Sequence, residues 1–297
     1  MLDLDYRRLY DPGQVPQIMR DDLQTVLHDR ARDLAHFRFS DGVRSMAQDG
    51  GRAQVTFDSG AEAEYDAVIG ADGLRSAVRD QVLGRSDYRL HPLNLQAAAF
   101  TCENVLGLQN EYVAHLEPMR HSIVYTTRRN ELSCILFFAP HAPVPGEAEP
   151  RLDYLRGVFE DAPAPVQEVL TTRARGALLY MDDLMQVRAA RWSAGCAAIV
   201  GDAAHCLTQL SGIGASMAMA SASALARALL AEDPASAGRR LERAIKPQVE
   251  SLQRKTRRNA KWCVPRSGGL NALRAALLAG APEAVWRFYF RAKYARS

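Results

Sequence analysis

The stretch Ala197-Ala198-Ile199-Val200-Gly201-Asp202-Ala203-Ala204-His205, continued by Ser211-Gly212-Ile213-Gly214-Ala215-Ser216, decides how the chain is read. Its apolar run is that of a buried strand, and it delivers an acid at the strand's carboxyl end, where ligands bind in open α/β sheets. The Gly-x-Gly turn then opens a helix whose first N–H groups have no partner within the helix. A carboxylate in that place accepts hydrogen bonds from ribityl or ribose hydroxyls. The helix N-terminus stabilises negative charge on a heterocycle or phosphate by about 0.3–1 kcal/mol at an exposed site. A plainer reading stands beside this one: the glycines serve tight packing and Asp202 caps the helix. A lone Gly-x-Gly supports only the plainer reading. Here the acid, His205 and both glycines follow one apolar strand.

A second segment, Ala71-Asp72-Gly73-Leu74-Arg75-Ser76-Ala77-Val78-Arg79, also follows an apolar run. Asp72 and Gly73 make a sharp turn, and Ser76 is placed to cap a short helix. Arg75 and Arg79 lie one helical turn apart on one face. Either holds a diphosphate in bidentate fashion, or both are solvated at a surface turn.

Together the two segments resemble the para-hydroxybenzoate-hydroxylase-type FAD-dependent monooxygenases, the group A aromatic hydroxylases. That family carries a DGxxSxxR motif and, well over a hundred residues later, a GD motif followed by GxG. Asp72, Gly73, Ser76 and Arg79 match the first; Gly201, Asp202, His205, Gly212 and Gly214 match the second. Arg20 matches an arginine that precedes the family's first long helix and helps bind FAD. Val187–Trp192 resembles the lead-in to the second motif. The resemblance runs from about residue 16 to residue 260.

The resemblance implies FAD as cofactor, NAD(P)H as reductant and an aromatic small-molecule substrate. By the same resemblance Asp202 binds the ribityl chain, and the N–H groups near Gly214 and Ala215 face the flavin pyrimidine ring. Asp72 and Arg79 serve the diphosphate and the approach of NAD(P)H. The flavin carries the oxygen chemistry, so no side chain is assigned a catalytic role; the protein holds the cofactor and excludes water. The chain departs from the pattern in places. Gln209 stands where the family has proline, Ser216 where it often has asparagine, and Ser221 where an aspartate is usual. Residues 1–15 hold one glycine, Gly13, and no GxGxxG turn. The expectation is therefore a chain that begins inside the fold, binds FAD weakly alone and exposes a sheet edge. Such an edge favours a homodimer or a complementing N-terminal fragment.

The fold class that follows is α/β (α+β): an incomplete Rossmann-like FAD-binding domain with an inserted, mostly β substrate domain and C-terminal helices. The expected division is 1–90 and 191–265 for the FAD-binding parts, 91–190 for the substrate sheet and 266–297 for a helical tail. A helix is expected over 18–34, where Ile18, Leu23, Val26, Leu27 and Leu34 recur at helical spacing. Hairpin strands follow at Val43–Ala47, Ala53–Phe57 and Ala63–Gly70, separated by Gly turns. Strands are expected at Leu95–Thr101, Ser122–Thr127, Leu132–Ala139 and around Ala177–Tyr180, with a helix at Leu152–Glu160. Phe100, Tyr125, Phe137 and Phe138 suit a flat aromatic or polyketide-like substrate, and plain core packing explains them equally well. Helices over 213–231 and 236–262 precede two in the tail, the last rich in aromatics (Trp286, Phe288, Tyr289).

With 47% hydrophobic and 24% charged residues in 297, the composition excludes a disordered chain. A net charge of +3 gives no argument for nucleic acid, and the basic run Arg254–Lys261 reads as a solvated helix face. Five cysteines without a CxxC pair, and without histidine at ligand spacing, argue against a disulfide framework or a zinc site. Reduced thiols fit a cytoplasmic protein. No apolar run is long enough for a membrane span. His115, His121 and His141 have no acid–base partner in the sequence. A non-redox reading stays open: a binding module, or a cyclase or isomerase, on the same fold without bound flavin.

Overall fold

The computed structural model describes residues 18–109, 112–142, 144–145, 148–172 and 179–279. The start of the chain and the aromatic end of its tail lie outside these residues.

The stretch Ala63–Gly70, expected as one strand, is two. Glu62–Tyr65 (β3) closes an antiparallel meander with Val43–Asp49 (β1) and Arg52–Phe57 (β2). The chain breaks at Asp66-Ala67, and Val68–Gly70 (β4) enters a different sheet. The split follows the composition, because Glu62–Tyr65 alternates charged and apolar residues for a half-solvated sheet whereas Val68-Ile69-Gly70 is apolar throughout. β4 pairs in parallel with Ala197–Ile199 (β11), Val68 beside Ala197 and Gly70 beside Ile199. Ser193–Ala194 (β10) adds an antiparallel strand on the far side of β11.

Ala77–Leu83 (α2) sits directly on this pair and buries Val78, Arg79, Val82 and Leu83. The fit is close enough that a Cβ on Gly70 would lie 2.7 Å from Cγ1 of Val78. Trp192, Ile199, Leu207, Met217 and Leu241 complete this core.

Between the parallel strands runs a five-stranded antiparallel sheet of Tyr88–Glu103 (β5), Tyr112–Glu117 (β6), Arg120–Thr126 (β7), Glu131–Phe138 (β8) and Tyr180–Ala189 (β9), in the order β6-β7-β8-β5-β9. Alternation gives it two faces. Phe100, Leu132, Leu136 and Phe138 pack beneath Ala148–Val158 (α3) and Ala164–Thr172 (α4). Ala97, Ile123, Phe137 and Leu184 line the other face with Leu210 and Ala260. Phe100 and Phe138 are therefore core residues and not pocket walls, while Phe137 and Tyr125 lie on the face turned towards the second motif.

β9 begins where the expected strand around Ala177–Tyr180 was to end. Its Asp182-Asp183 pair hides the strand pattern, and each acid has its own partner: Arg75 for Asp182 and Gln96 for Asp183, the latter at 2.7 Å. β6 and α4 were not anticipated.

After the second motif come the helices Gly214–Leu229 (α6), Pro234–Cys263 (α7) and Gly268–Ala279 (α8). Asp233 caps α7 through the N–H of Ser236 at 3.0 Å. Buried Gln253 on α7 donates to the carbonyls of Val187 (2.7 Å) and Cys206 (3.2 Å), so one amide ties helix, sheet and motif loop together. The early helix, Arg20–Ala31 (α1), buries none of its residues, and Ile18, Val26 and Leu27 are half exposed. Among the described residues the outer edge of β4 has no partner strand.

Burial lowers the His121 and His205 imidazoles to about 4; His121 is depressed further by Arg274 and His115. Both stay neutral in the fold, and the unfolded chain takes up their protons first. Stability is therefore present above pH ~6.5 and is lost as pH falls towards ~4. Thermal unfolding measured across that window should show a falling midpoint, and His121→Asn should flatten the fall. An identical slope in the variant would contradict the assignment to His121.

Candidate functional site

The parallel pairing sets the site. Because Gly70 lies beside Ile199, and the Val200 N–H donates to the Gly70 carbonyl at 2.9 Å, the Asp72 turn and the Asp202 loop leave the sheet side by side. Arg79 locks them. It is 2% exposed, donates from Nη1 to the carbonyl of Ala203 (3.1 Å) and from Nη2 to that of Leu74 (2.9 Å), and stacks 4.4 Å over the Tyr88 ring. This corrects the expectation that Arg79 serves a diphosphate or NAD(P)H: its guanidinium faces inward as a strut. Asp72 accepts from the Ser76 hydroxyl and from the Val78 N–H at 3.1 Å, and Ser76 caps α2 through the N–H of Arg79 at 2.8 Å. Gly73 turns the chain at φ 80°.

Arg75, by contrast, points out of the turn. It grips Asp182 on β9 with two bonds of 2.9 and 2.6 Å, joining the first motif to the five-stranded sheet. Burial raises the Asp182 carboxyl, and the Arg75 fork outweighs it and holds the group below the usual carboxylate range. Tyr180 stands two residues away; burial and the Asp182 charge push its phenol up. The positive charge of Arg20 acts on both Tyr180 and Asp202, and that of Arg75 on Tyr180 and Asp182, so these five groups gather at one candidate cleft.

Asp202 opens a single helical turn, Asp202–His205 (α5), and is exposed while the three residues after it are buried. The surrounding protein desolvates the carboxylate and raises its pKa, against the opposing Cys206 thiol and Arg20. Gly201, not Asp202, holds the N-cap position of that turn. The preceding Gly201 has φ 58° and ψ −142°, a conformation open in practice to glycine alone. Its N–H donates to Ser221 Oγ at 3.2 Å. Ser221, an apparent departure in the sequence, thus anchors the motif's glycine from α6.

A single 3-10 turn, Gln209–Ser211, ends in Gly212 at φ 68° and hands the chain to α6. No side chain caps that helix. The first N–H groups of the helix are thus left without a cap, and nothing lies within 4 Å of a Cβ built on Gly214. Ala99, Tyr125 and Ile135 lie half-buried on the sheet face against which Leu210 of the motif loop packs.

The donor set fits the flavin half of FAD. A half-solvated carboxylate accepts from a polyol chain, uncapped amides meet an electron-rich ring edge, and the glycines allow close approach. His205, also quoted in the second motif, turns away from this cleft, 2% exposed and 4.9 Å from the Trp192 ring. Among the described residues no group of three or more His, Cys, Asp or Glu could hold a metal, and no helix is long and apolar enough to cross a membrane. None of the five cysteines is in a disulfide.

This architecture defines a flavin-binding class, and the comparisons agree. The chain belongs to the FAD binding domain family, whose model matches residues 1–244. An uncharacterized protein of Mycobacterium tuberculosis is 34% identical over 226 residues, covering 72% of this chain and 59% of its own length. A flavin-dependent monooxygenase of an unknown prokaryotic organism is 31% identical over 247 residues, covering 81% and 63%. The chain thus spans about three fifths of the length of these relatives. Among solved structures, the tetracycline destructase Tet(55) superposes with a TM-score of 0.75 at 27% identity, covering 89% of this chain and 71% of that one. The destructase Tet(51) gives 0.74 at 26%, covering 91% and 74%.

Two arginines of the first motif now separate by experiment. Arg79→Met leaves two carbonyls without their donor and should destabilise the flavin-free chain by about 2–4 kcal/mol. Arg75→Ala removes an exposed ion pair and should cost under about 1 kcal/mol. Denaturant unfolding of both variants checks this, and the reverse order would refute the strut.

Proposed function

We propose that this chain is the flavin-facing and substrate-facing part of an FAD-dependent monooxygenase, which hydroxylates or oxidises an aromatic or polyketide-like small molecule with NAD(P)H and O2. One observation carries the reading: the Asp202 carboxylate and the uncapped N-terminus of α6 stand together at the carboxyl end of the parallel pair, with Ala218 of that helix against Gly201. The names of the relatives support the class, and the polycyclic substrate in the destructases' name supports a flat, fused-ring ligand.

When bound, FAD supplies the redox chemistry, taking electrons from the nicotinamide and activating oxygen. The chain's own residues position it. Asp202 accepts hydrogen bonds from the ribityl hydroxyls, and Arg20 lies close enough to balance the carboxylate or meet a phosphate. The Gly214 and Ala215 amides donate to the pyrimidine edge, where the helix terminus favours negative charge. Gly201 and Gly212 shape the loop so that backbone reaches the ring. Asp72, Gly73 and Arg79 hold that arrangement from the side.

Ala99, Tyr125 and Ile135 form the substrate floor, and the Arg75–Asp182 bridge keeps this floor in register with the flavin loop. In this reading 91–190 is the substrate unit, 1–90 and 191–265 are the flavin-binding parts and 266–297 is the tail. Cysteines outside any disulfide suit a reducing compartment such as the cytoplasm.

Asp202→Ala tests the reading. FAD affinity, followed by flavin fluorescence, should fall roughly ten- to a hundredfold, while the flavin-free unfolding midpoint changes little. If Asp202 is only a cap, the variant loses about 1 kcal/mol of stability and binds FAD as before. That outcome would overturn the assignment.

A further inference from the structure

We propose that a second cavity, between the Tyr88 end of β5, the Ala189 end of β9 and helix α7, is an anion site for a small phosphate-bearing molecule. The cavity measures about 410 Å3, within the range of small-ligand pockets. It lies behind the motif strand, with His205 and Trp192 in its wall, and none of the proposed flavin contacts lines it. The inference does not rest on the flavin reading.

Arg89 and Arg188 face each other directly across β5 and β9, so both side chains project from one face. Like charges in that position repel and destabilise a sheet unless something negative lies between them. The cavity's own acids do not fill that place. Asp87 pairs with Arg191 at 2.8 Å, and Glu250 lies 3.9 Å from Arg254. Lys246, a third cation in the lining, has its amine on the Ala190 carbonyl.

The positive potential also reaches a neighbour. Burial lowers His91, and then Arg257 and Arg188 lower it further. At the inner wall the Nε2 of His205 is buried without a partner among the described residues. Two planar guanidinium forks with an ammonium match the tetrahedral, multiply charged oxygens of a phosphate better than a single carboxylate. A cavity of about 410 Å3, on a chain whose net charge is only +3, suits a small molecule better than a polymer.

Titrating the FAD-saturated chain with inorganic pyrophosphate, by calorimetry, tests the site. FAD keeps the flavin pocket filled. Saturable binding at or below about 1 mM is expected, weakened at least tenfold in Arg188→Gln and likewise in Arg89→Gln. Without pyrophosphate, either variant should unfold at a higher temperature than the parent, because the cross-strand repulsion is relieved. The inference is overturned if the parent shows no saturable binding or if the variants bind as the parent does. Tight binding of a single-stranded RNA in place of pyrophosphate would overturn it too.

Discussion

The parallel register of Val68–Gly70 against Ala197–Ile199 is the constraint on which the site depends. Strands of three residues hold each other weakly, and the pair is kept by what packs around it. Gly70 lets α2 approach, and the Arg79 guanidinium reaches from α2 to the carbonyl of Ala203 in the partner loop. A hydrogen bond from a charged donor is worth about 1.5–3 kcal/mol, comparable with the burial of a large apolar side chain. Charge is tolerated here because carbonyl oxygens and the Tyr88 ring surround it. The two acidic turns consequently emerge at one end of the sheet, although the whole antiparallel insertion separates them in sequence.

The division of labour among the polar groups follows. Groups that hold the fold are buried and paired: Arg79, Ser76, Gln253 and Ser221. Groups that face the cleft keep capacity to spare, as with the raised carboxyl of Asp202 and the uncapped amides of α6. Arg75 belongs to both sets, exposed along its length yet fixed at its tip to the sheet.

Much of this was legible in the sequence because its signals are local. An apolar run ending in Gly-Asp, a Gly-x-Gly turn and a capping serine each act within a few residues, and they set Asp202 at a strand's end and Gly214 at a helix start. What was not legible depends on partners far along the chain. The inward aim of Arg79 needs the Ala203 carbonyl. The strand character of Tyr180–Ala189 needs Arg75 and Gln96 to accept its acids. The face on which Phe100 and Phe138 lie needs helices α3 and α4, the second of which the sequence reading missed. The break at Asp66-Ala67 is short enough to pass for a continuous strand, so β3 and β4 read as one. Ser221 read only as a departure from the family's aspartate, and its hold on the Gly201 amide is a contact that the fold alone creates.

The crystal structure of this chain with FAD tests the central claim most directly. In that crystal the flavin ring edge should lie against the Gly214 and Ala215 amides, the ribityl hydroxyls within hydrogen-bond distance of Asp202, and the Arg79–Ala203 contact should be unchanged. An ordered flavin bound elsewhere, or one that leaves Asp202 without a contact, would contradict it.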